Sequence, residues 1–323
     1  MTTVPWRSLR NISGPLPVRL TDIDPLNRVF SDAFTERYRR DGMVGVRVPY
    51  LNPTVWRYAI EDAHGGAQLW RDERDEIVAF NIVHHSGVEG WMGPLAVRPD
   101  WQGSGVGKVI VEAGVDWLRT QRARVIGLET MPRTMDNIGF YARLGFVPGR
   151  LTMTLTLEAA TADVAVPLLG ALPARDRDAI VAQCLALTRE QLPGYDFTRE
   201  LQLTLELGLG DVVLRFERGA LVGFALFHAA PLVEGRSREE LRVLKMVLAT
   251  PAHLPDMAIL LAGAARQAGT RRVAIRVQGE YVEAFRELMA LGARVRWTDL
   301  RMVMIGHEER RAASGIVLSN WEI

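Results

Sequence analysis

The chain has 323 residues, 48% of them hydrophobic and 24% charged, the balance of a soluble globular protein long enough for two domains. Its net charge of +1 divides as +1 over residues 1–158 and 0 over 159–323, so neither half offers a basic face to nucleic acid or an anionic membrane. The lone Cys184 excludes an internal disulfide and a cysteine-based metal site, and its setting, "IVAQCLAL", reads as helical core.

The leading stretch "MTTVPWRSLRNISGPLP" has no apolar run of signal-peptide length, and no segment approaches the ~18 apolar residues of a membrane span. A cytoplasmic location and no membrane partner are expected. "PVRL" (17–20) predicts a short strand. Residues 24–39 and 53–63 predict helices, the second opened by Asn52 with Pro53 at its first position. "AQLWRD" and "EIVAFNIVHH" predict a hairpin, and "WMGPLAVR" a further strand. Residues 105–121 predict a helix, with Val106, Ile110, Val111, Gly114, Val115 and Leu118 on one face. "RVIGLETM" predicts a strand, 136–144 a helix ended by Gly145, and "RLTMTLTL" a last strand. Strand and helix alternate after an antiparallel start. The fold class is therefore α/β with a mixed sheet, mostly antiparallel and partly parallel, with helices on both faces.

The chain also repeats itself. "WRDERDEIVAF" (70–80) parallels "LRFERGALVGF" (214–224) at an offset of 144, and "RVIGLET" (124–130) parallels "RRVAIRV" (271–277) at 147. The three extra residues are expected between "FHAAPLVEGRSREE" and the next strand. Two tandem units follow, 1–158 and 159–323, joined by the "EAATAD" linker, with "SGIVLSNWEI" as a last extended piece.

Between a strand and a helix stands "VRPDWQGSGVGKVI" (97–110). A nucleotide P-loop would need Gly at Gln102 and a hydroxyl at Val109, and a dinucleotide fingerprint would need Gly at Lys108. The pattern Gln/Arg-x-x-Gly-x-Gly/Ala is met at every fixed position by Gln102-Gly103-Ser104-Gly105-Val106-Gly107. A helix N-terminus with unpaired N–H groups attracts anions, and glycines let a diphosphate approach the backbone. Gln102 and Lys108 can add a side-chain donor and a positive charge.

With "DNIGFYARLGF" after the next strand, residues 16–158 resemble the GNAT superfamily of acyl-CoA-dependent N-acetyltransferases. The resemblance implies two tandem GNAT-like domains, the second degenerate, with acetyl-CoA as co-substrate, no metal and an amine acceptor, small molecule or protein. It implies that Leu95, Ala96 and Val97 form a splayed strand edge that pairs with pantetheine. The amides of Gln102, Gly103, Ser104, Gly105, Val106, Gly107 and Lys108 would hold the diphosphate, and Asn137 would bond the cofactor arm. It further implies direct attack of the amine on the thioester, the Val97 N–H as oxyanion donor and Tyr141 as the acid for the departing thiolate. Glu129 is the expected base; His84 or His85, Glu89, or a water chain are alternatives, and the match of His228 to His84 favours a structural His84. Arginines in "RYRRDGMVGVRVPYLNP" (37–53) could hold an acceptor carboxylate or phosphate.

In the second unit "TPAHLP" (250–255) stands opposite "GSGVGK", Ala284 opposite Asn137 and Leu288 opposite Tyr141. This unit is not expected to bind CoA; it is expected to shape the acceptor cleft. The rival from another class is a non-catalytic acetyl-CoA-binding sensor. Oligomeric state is open.

Overall fold

The computed structural model describes residues 11–321. The first unit runs β1 (Ser13–Pro17), α1 (Ile23–Arg40), α2 (Pro53–Asp62), β2 (Ala67–Arg71), β3 (Ile77–Ser86), β4 (Glu89–Val97), α3 (Val106–Thr120), β5 (Val125–Thr130), α4 (Met135–Arg143) and β6 (Phe146–Glu158). The second repeats the order from its first helix: α5 (Ala174–Gln191), α6 (Thr198–Glu206), β7 (Gly210–Glu217), β8 (Ala220–His228), β9 (Glu240–Leu248), α7 (Leu254–Gln267), β10 (Arg272–Gln278), α8 (Val282–Ala290) and β11 (Arg294–Met304). A last strand, β12 (Ile316–Ser319), follows.

Local chemistry accounts for the boundaries. Asn52 caps α2 by accepting the Thr54 N–H at 3.0 Å, with Pro53 at the first helical position. β1 ends at Pro17, the first residue of the predicted "PVRL", because the Asp22 carboxylate accepts the Arg19 N–H at 2.9 Å and starts a helical turn at Leu20. Helix α3 begins from Gly105 in the left-handed conformation, φ 91°, which only glycine adopts without strain. β3 is buried on both faces, which its apolar run requires. Cys184 is fully buried, and burial pushes its thiol up to about 12, as suits an inert core residue.

All strands form one 12-stranded sheet, in the order β1-β2-β3-β4-β5-β11-β6-β10-β9-β8-β7, with β12 paired to β9. The two units exchange their last long strands. β11 of the second unit pairs antiparallel with β5 of the first, Arg301 opposite Glu129, while β6 of the first pairs with β10 of the second. The sheet therefore continues across the 158/159 division expected from the sequence. One apolar core is shared as well: Val55, Tyr58 and Trp91 pack with Leu201, Phe224 and Leu226.

Charges are buried where the units meet. Arg301, 2% exposed, pairs with Glu129 at 3.4 Å and Glu309 at 3.3 Å, donates to the Ser319 carbonyl at 3.0 Å and lies 4.1 Å above the Trp91 ring. Burial raises the Glu309 carboxyl from its ordinary 4.5 to about 7, against the pull of Arg301 and with repulsion from Glu89, Glu280 and Glu129. A folded value above the unfolded one means that the contribution is full below about 4.5 and is lost as pH rises through about 7. Glu309→Gln removes this dependence. The melting temperature of the variant minus that of the wild type is expected to be larger at pH 8 than at pH 5 by scanning fluorimetry. A difference independent of pH would contradict the assignment.

Candidate active site

Strands β4 and β5 run parallel only from Glu89↔Val125 to Met92↔Leu128, and then they part. Beyond Met92, β4 keeps its pairing with β3, with Ala96 opposite Phe80 and Val97 opposite Ala79. The Arg98 N–H donates to the Val78 carbonyl, so that pair and Phe80–Ala96 are the hydrogen-bonded ones in the antiparallel alternation. The backbone groups of Leu95 and Val97 therefore turn away from β3, into the gap. Those of Ala96 are spent on β3, which removes Ala96 from the expected pairing edge while leaving it on the cavity wall.

A cavity of about 1000 Å³ fills the gap. Its wall brings together Leu95, Ala96, Val97, Gln102, Gly103, Gly105, Gly107, Lys108, Glu129, Asn137 and Tyr141. The loop before α3 is narrower in function than its sequence suggested. The Gln102 N–H is taken by the Pro99 carbonyl at 3.3 Å and the Lys108 N–H by the Gly105 carbonyl at 3.0 Å. Among the described residues, the amides of Gly103, Ser104, Gly105, Val106 and Gly107 have no acceptor within the chain. Five open donors at the positive end of a helix, with Gly103 and Gly105 at φ 76° and 91°, suit a diphosphate. The Gln102 carboxamide donates to the Val97 carbonyl at 3.1 Å and so ties loop to strand edge. Ser104 donates to the Trp101 carbonyl, Val106 is core, and Lys108 is exposed, 3.7 Å from Glu112.

Tyr141, 6% exposed, packs against Phe140 and Phe146, and burial lifts its phenol above the ordinary tyrosine value. Its hydroxyl makes no hydrogen bond among the described residues. The Asn137 carboxamide is likewise uncommitted.

Residues 28–146 match the model of the Acetyltransferase (GNAT) family. The first unit is a GNAT domain. No curated protein matches the chain. Solved structures similar to it include a Pyrococcus horikoshii protein assigned to the acetyltransferases, 17% identical at TM-score 0.64, covering 94% of this chain and 92% of that one. A tandem GNAT protein from the clavulanic acid biosynthesis pathway is 12% identical at TM-score 0.58, covering 91% and 97%. N-myristoyltransferase of Saccharomyces cerevisiae, solved with bound myristoyl-CoA, is 9% identical at TM-score 0.62, covering 94% and 80%. At these identities the structures establish a shared two-unit GNAT fold.

Within the GNAT domain, Glu129 is not the free carboxylate the sequence suggested. It accepts from Thr152 at 2.7 Å and from Arg276, and faces Arg301 at 3.4 Å. Burial raises its carboxyl, but Arg276, Arg301 and Thr152 outweigh burial and hold it below the usual carboxylate range. Such a group is a poor base. Glu89 is fully buried, accepting from Trp91 at 3.0 Å and Ser319 at 2.7 Å, and does not line the cavity. His85 packs on Trp117. His84 does line the cavity, between the Asp62 carboxylate at 2.8 Å from Nδ1 and the Gly93 carbonyl at 3.2 Å from Nε2. The arginines of 37–53 are committed: Arg37 to Asp41 and Asp136, Arg39 and Arg40 to Glu36, Arg47 to Asp32. Each of these arginines already faces a carboxylate, although Arg39 and Arg40 share one.

Sequence reasoning missed the residues that the second unit contributes. Arg276, Trp297, Asp299 and Trp321 all line the cavity of the first unit. The only signal was a charge inside an apolar strand, Arg276 in "RVAIRVQ".

Among the described residues, two features close the corresponding place in the second unit, a short turn and a pairing strand. The turn before α7 is shortened to residues 249–253, against 98–105 before α3, and the β8–β9 connection is lengthened to 229–239, against 87–88. The insertion is thus larger than three residues and a later deletion masks it. In the short turn, Thr250 takes the Ala252 N–H through its hydroxyl and the His253 N–H through its carbonyl. The gap itself is filled by the chain: β12 pairs with β9 from Ile316↔Leu248 to Ser319↔Lys245, beyond the point where β9 parts from β10. Ala284 and Leu288 are buried in the core.

Proposed function

We propose that the protein is an acetyl-CoA-dependent N-acetyltransferase with one active site, in the cleft between β4 and β5. The observation that carries this reading is the run of open amides from Gly103 to Gly107, with Gly103, Gly105 and Gly107 on the wall of a cavity that continues along the free edge of β4. Acetyl-CoA supplies a thioester acyl group; the acceptor ammonium gives a proton to water, the freed amine attacks the thioester carbon directly, and CoA departs as the thiolate. The five amides hold the diphosphate, with Lys108 adding positive charge. Leu95 and Val97 pair with the pantetheine arm as an added strand would, and Asn137 bonds that arm. The Val97 N–H takes the negative charge that develops on the acyl oxygen. Tyr141 donates to the departing sulfur. A phenol above about 10 is a weaker acid than a thiol near 8.5, so Tyr141 acts chiefly as a hydrogen-bond donor to the forming thiolate. Glu129 serves to fix Arg276 in place. The second unit, residues 159–323, is a degenerate GNAT-like domain that shapes the acceptor end, in keeping with Leu232, Arg276, Trp297, Asp299 and Trp321 on the cavity wall.

Titration calorimetry with CoA tests this. The wild type is expected to bind. Gly105→Val forces a β-branched residue to positive φ, at about 1–2 kcal/mol of backbone strain, although a Cβ there meets nothing within 4 Å. It is expected to weaken CoA at least about tenfold, the equivalent of ~1.4 kcal/mol, with a melting temperature within a few degrees. No heat with the wild type would end the proposal.

A further inference from the structure

The acceptor end of the cavity is bounded by β5 and by β10 and β11 of the second unit. There Arg276 donates to both Glu129 and Asp299, the latter at 2.9 Å, which consumes its charge. Asp299 differs from Glu129. Its Oδ2 takes Arg276 and its Oδ1 takes the Trp297 indole N–H at 3.1 Å, one partner each. A carboxylate oxygen can accept twice, so Asp299 keeps room for two further donors. Its side chain is 16% exposed on the cavity wall, and burial raises its carboxyl above the usual value, opposed by Arg276 and assisted by Glu129. Beside it stand Trp297, 39% exposed with the Arg133 guanidinium 5.6 Å over its ring, and the half-buried Tyr38, whose phenol is raised by burial, lowered by Arg133 and raised by the Asp299 charge. A carboxylate with open lone pairs between aromatic faces attracts an ammonium ion.

Of the other cavity cations, Arg37 is held by Asp41 and Asp136, Arg40 shares Glu36 with Arg39, and Lys108 and Arg143 lie on α3 and α4; Arg133, over the Trp297 ring at 5.6 Å, stands outside the cavity lining. An acceptor that brought its own carboxylate to this end would meet Glu129 and Asp299 with the adjacent guanidinium already neutralised. Resting on the transferase reading above, we propose that Asp299, carried into the cleft of the first unit by a strand of the second, binds the ammonium of the acceptor, and that the acceptor is a cationic amine without a carboxylate. Asp299 thereby sets specificity from outside the domain that holds the coenzyme loop.

The test uses the full chain and pairs of amines that differ only by an α-carboxylate: agmatine and arginine, cadaverine and lysine, tyramine and tyrosine. Thiol release from acetyl-CoA is measured for each. At least one decarboxylated member is expected to be favoured about 100-fold or more in kcat/KM over its partner, since a misplaced like charge is costly. Asp299→Asn is expected to raise the KM of that amine at least about tenfold, leave the KM of acetyl-CoA unchanged and narrow the preference within the pair. Asp299→Glu should recover part of it. Preference for the amino acids overturns the proposal. So does an unchanged amine KM in Asp299→Asn, or an equal rise in both KM values, which marks a structural role. Should Asp299→Asn fail to fold, the preference of the wild type decides. Binding of CoA without acetylation of any amine overturns this inference and leaves the coenzyme site standing, whereas absence of CoA binding removes both.

Discussion

Residues 1–158 expressed alone are expected to remain unfolded or aggregate, although they contain the whole GNAT match. The reason lies in the strand exchange. Without β11, the backbone of Gly127 to Thr130 on β5 loses its partners, and β6 loses both of its neighbours, β11 and β10. Unpaired strand edges of this length invite association. The shared core is also cut: Trp91, Tyr58 and Val55 would lose Leu201, Phe224 and Leu226, each removal of a large buried side chain being worth about 2–5 kcal/mol. Against a total stability of about 5–15 kcal/mol, no single domain survives such losses. Circular dichroism and size-exclusion chromatography of 1–158 should show no cooperative melt and no monodisperse species, while co-expression with 159–323 should restore both. A monodisperse 1–158 with a sharp melt would show that the exchanged strands contribute little.

The second large effect concerns chemistry. Tyr141→Phe is expected to lower kcat about 100-fold, the low end of the ~10²–10³ range for losing one hydrogen-bond donor to a developing charge, with the KM for acetyl-CoA nearly unchanged. The ring sits among Phe140 and Phe146, and its hydroxyl makes no hydrogen bond among the described residues, so the variant keeps its packing and its melting temperature. Steady-state thiol release with an accepted amine measures it. An unchanged kcat would make Tyr141 a packing aromatic. Coenzyme binding without turnover in the wild type, on any amine, would favour the sensor.

Much of the proposed coenzyme side was legible in the sequence because it is local. A glycine at positive φ, a helix start and a strand before it lie within about a dozen consecutive residues, and backbone amides need no distant partner to be open. Tyr141 and Asn137 follow on α4 at a separation that the intervening strand dictates. The repeat, too, was visible, since strands and helices recur in order. The acceptor side was not. Glu129 looked like a free strand carboxylate until β11 placed Arg301 opposite it and β10 brought Arg276 to its side. Which strand neighbours which depends on pairing between residues more than 100 positions apart, and an alternating pattern fits either face of either unit equally well.

The plug in the second cleft shows the same division. The sequence recorded the missing glycines and the prolines of "TPAHLP", and from these the loss of an anion site follows. It also held "SGIVLSNWEI" as an extended piece with no stated place. Only the folded sheet puts β12 against β9, because the open edge that recruits it exists only after β9 and β10 have parted. The amino-acid sequence by itself determined the elements, their repetition and the open amides, all of which arise from neighbours along the chain. The tertiary structure decided the exchange of strands, the pairing of Glu129, the place of Asp299 and the filling of the second gap. Those depend on which backbone edges and buried charges find one another in space, and no local propensity encodes that choice.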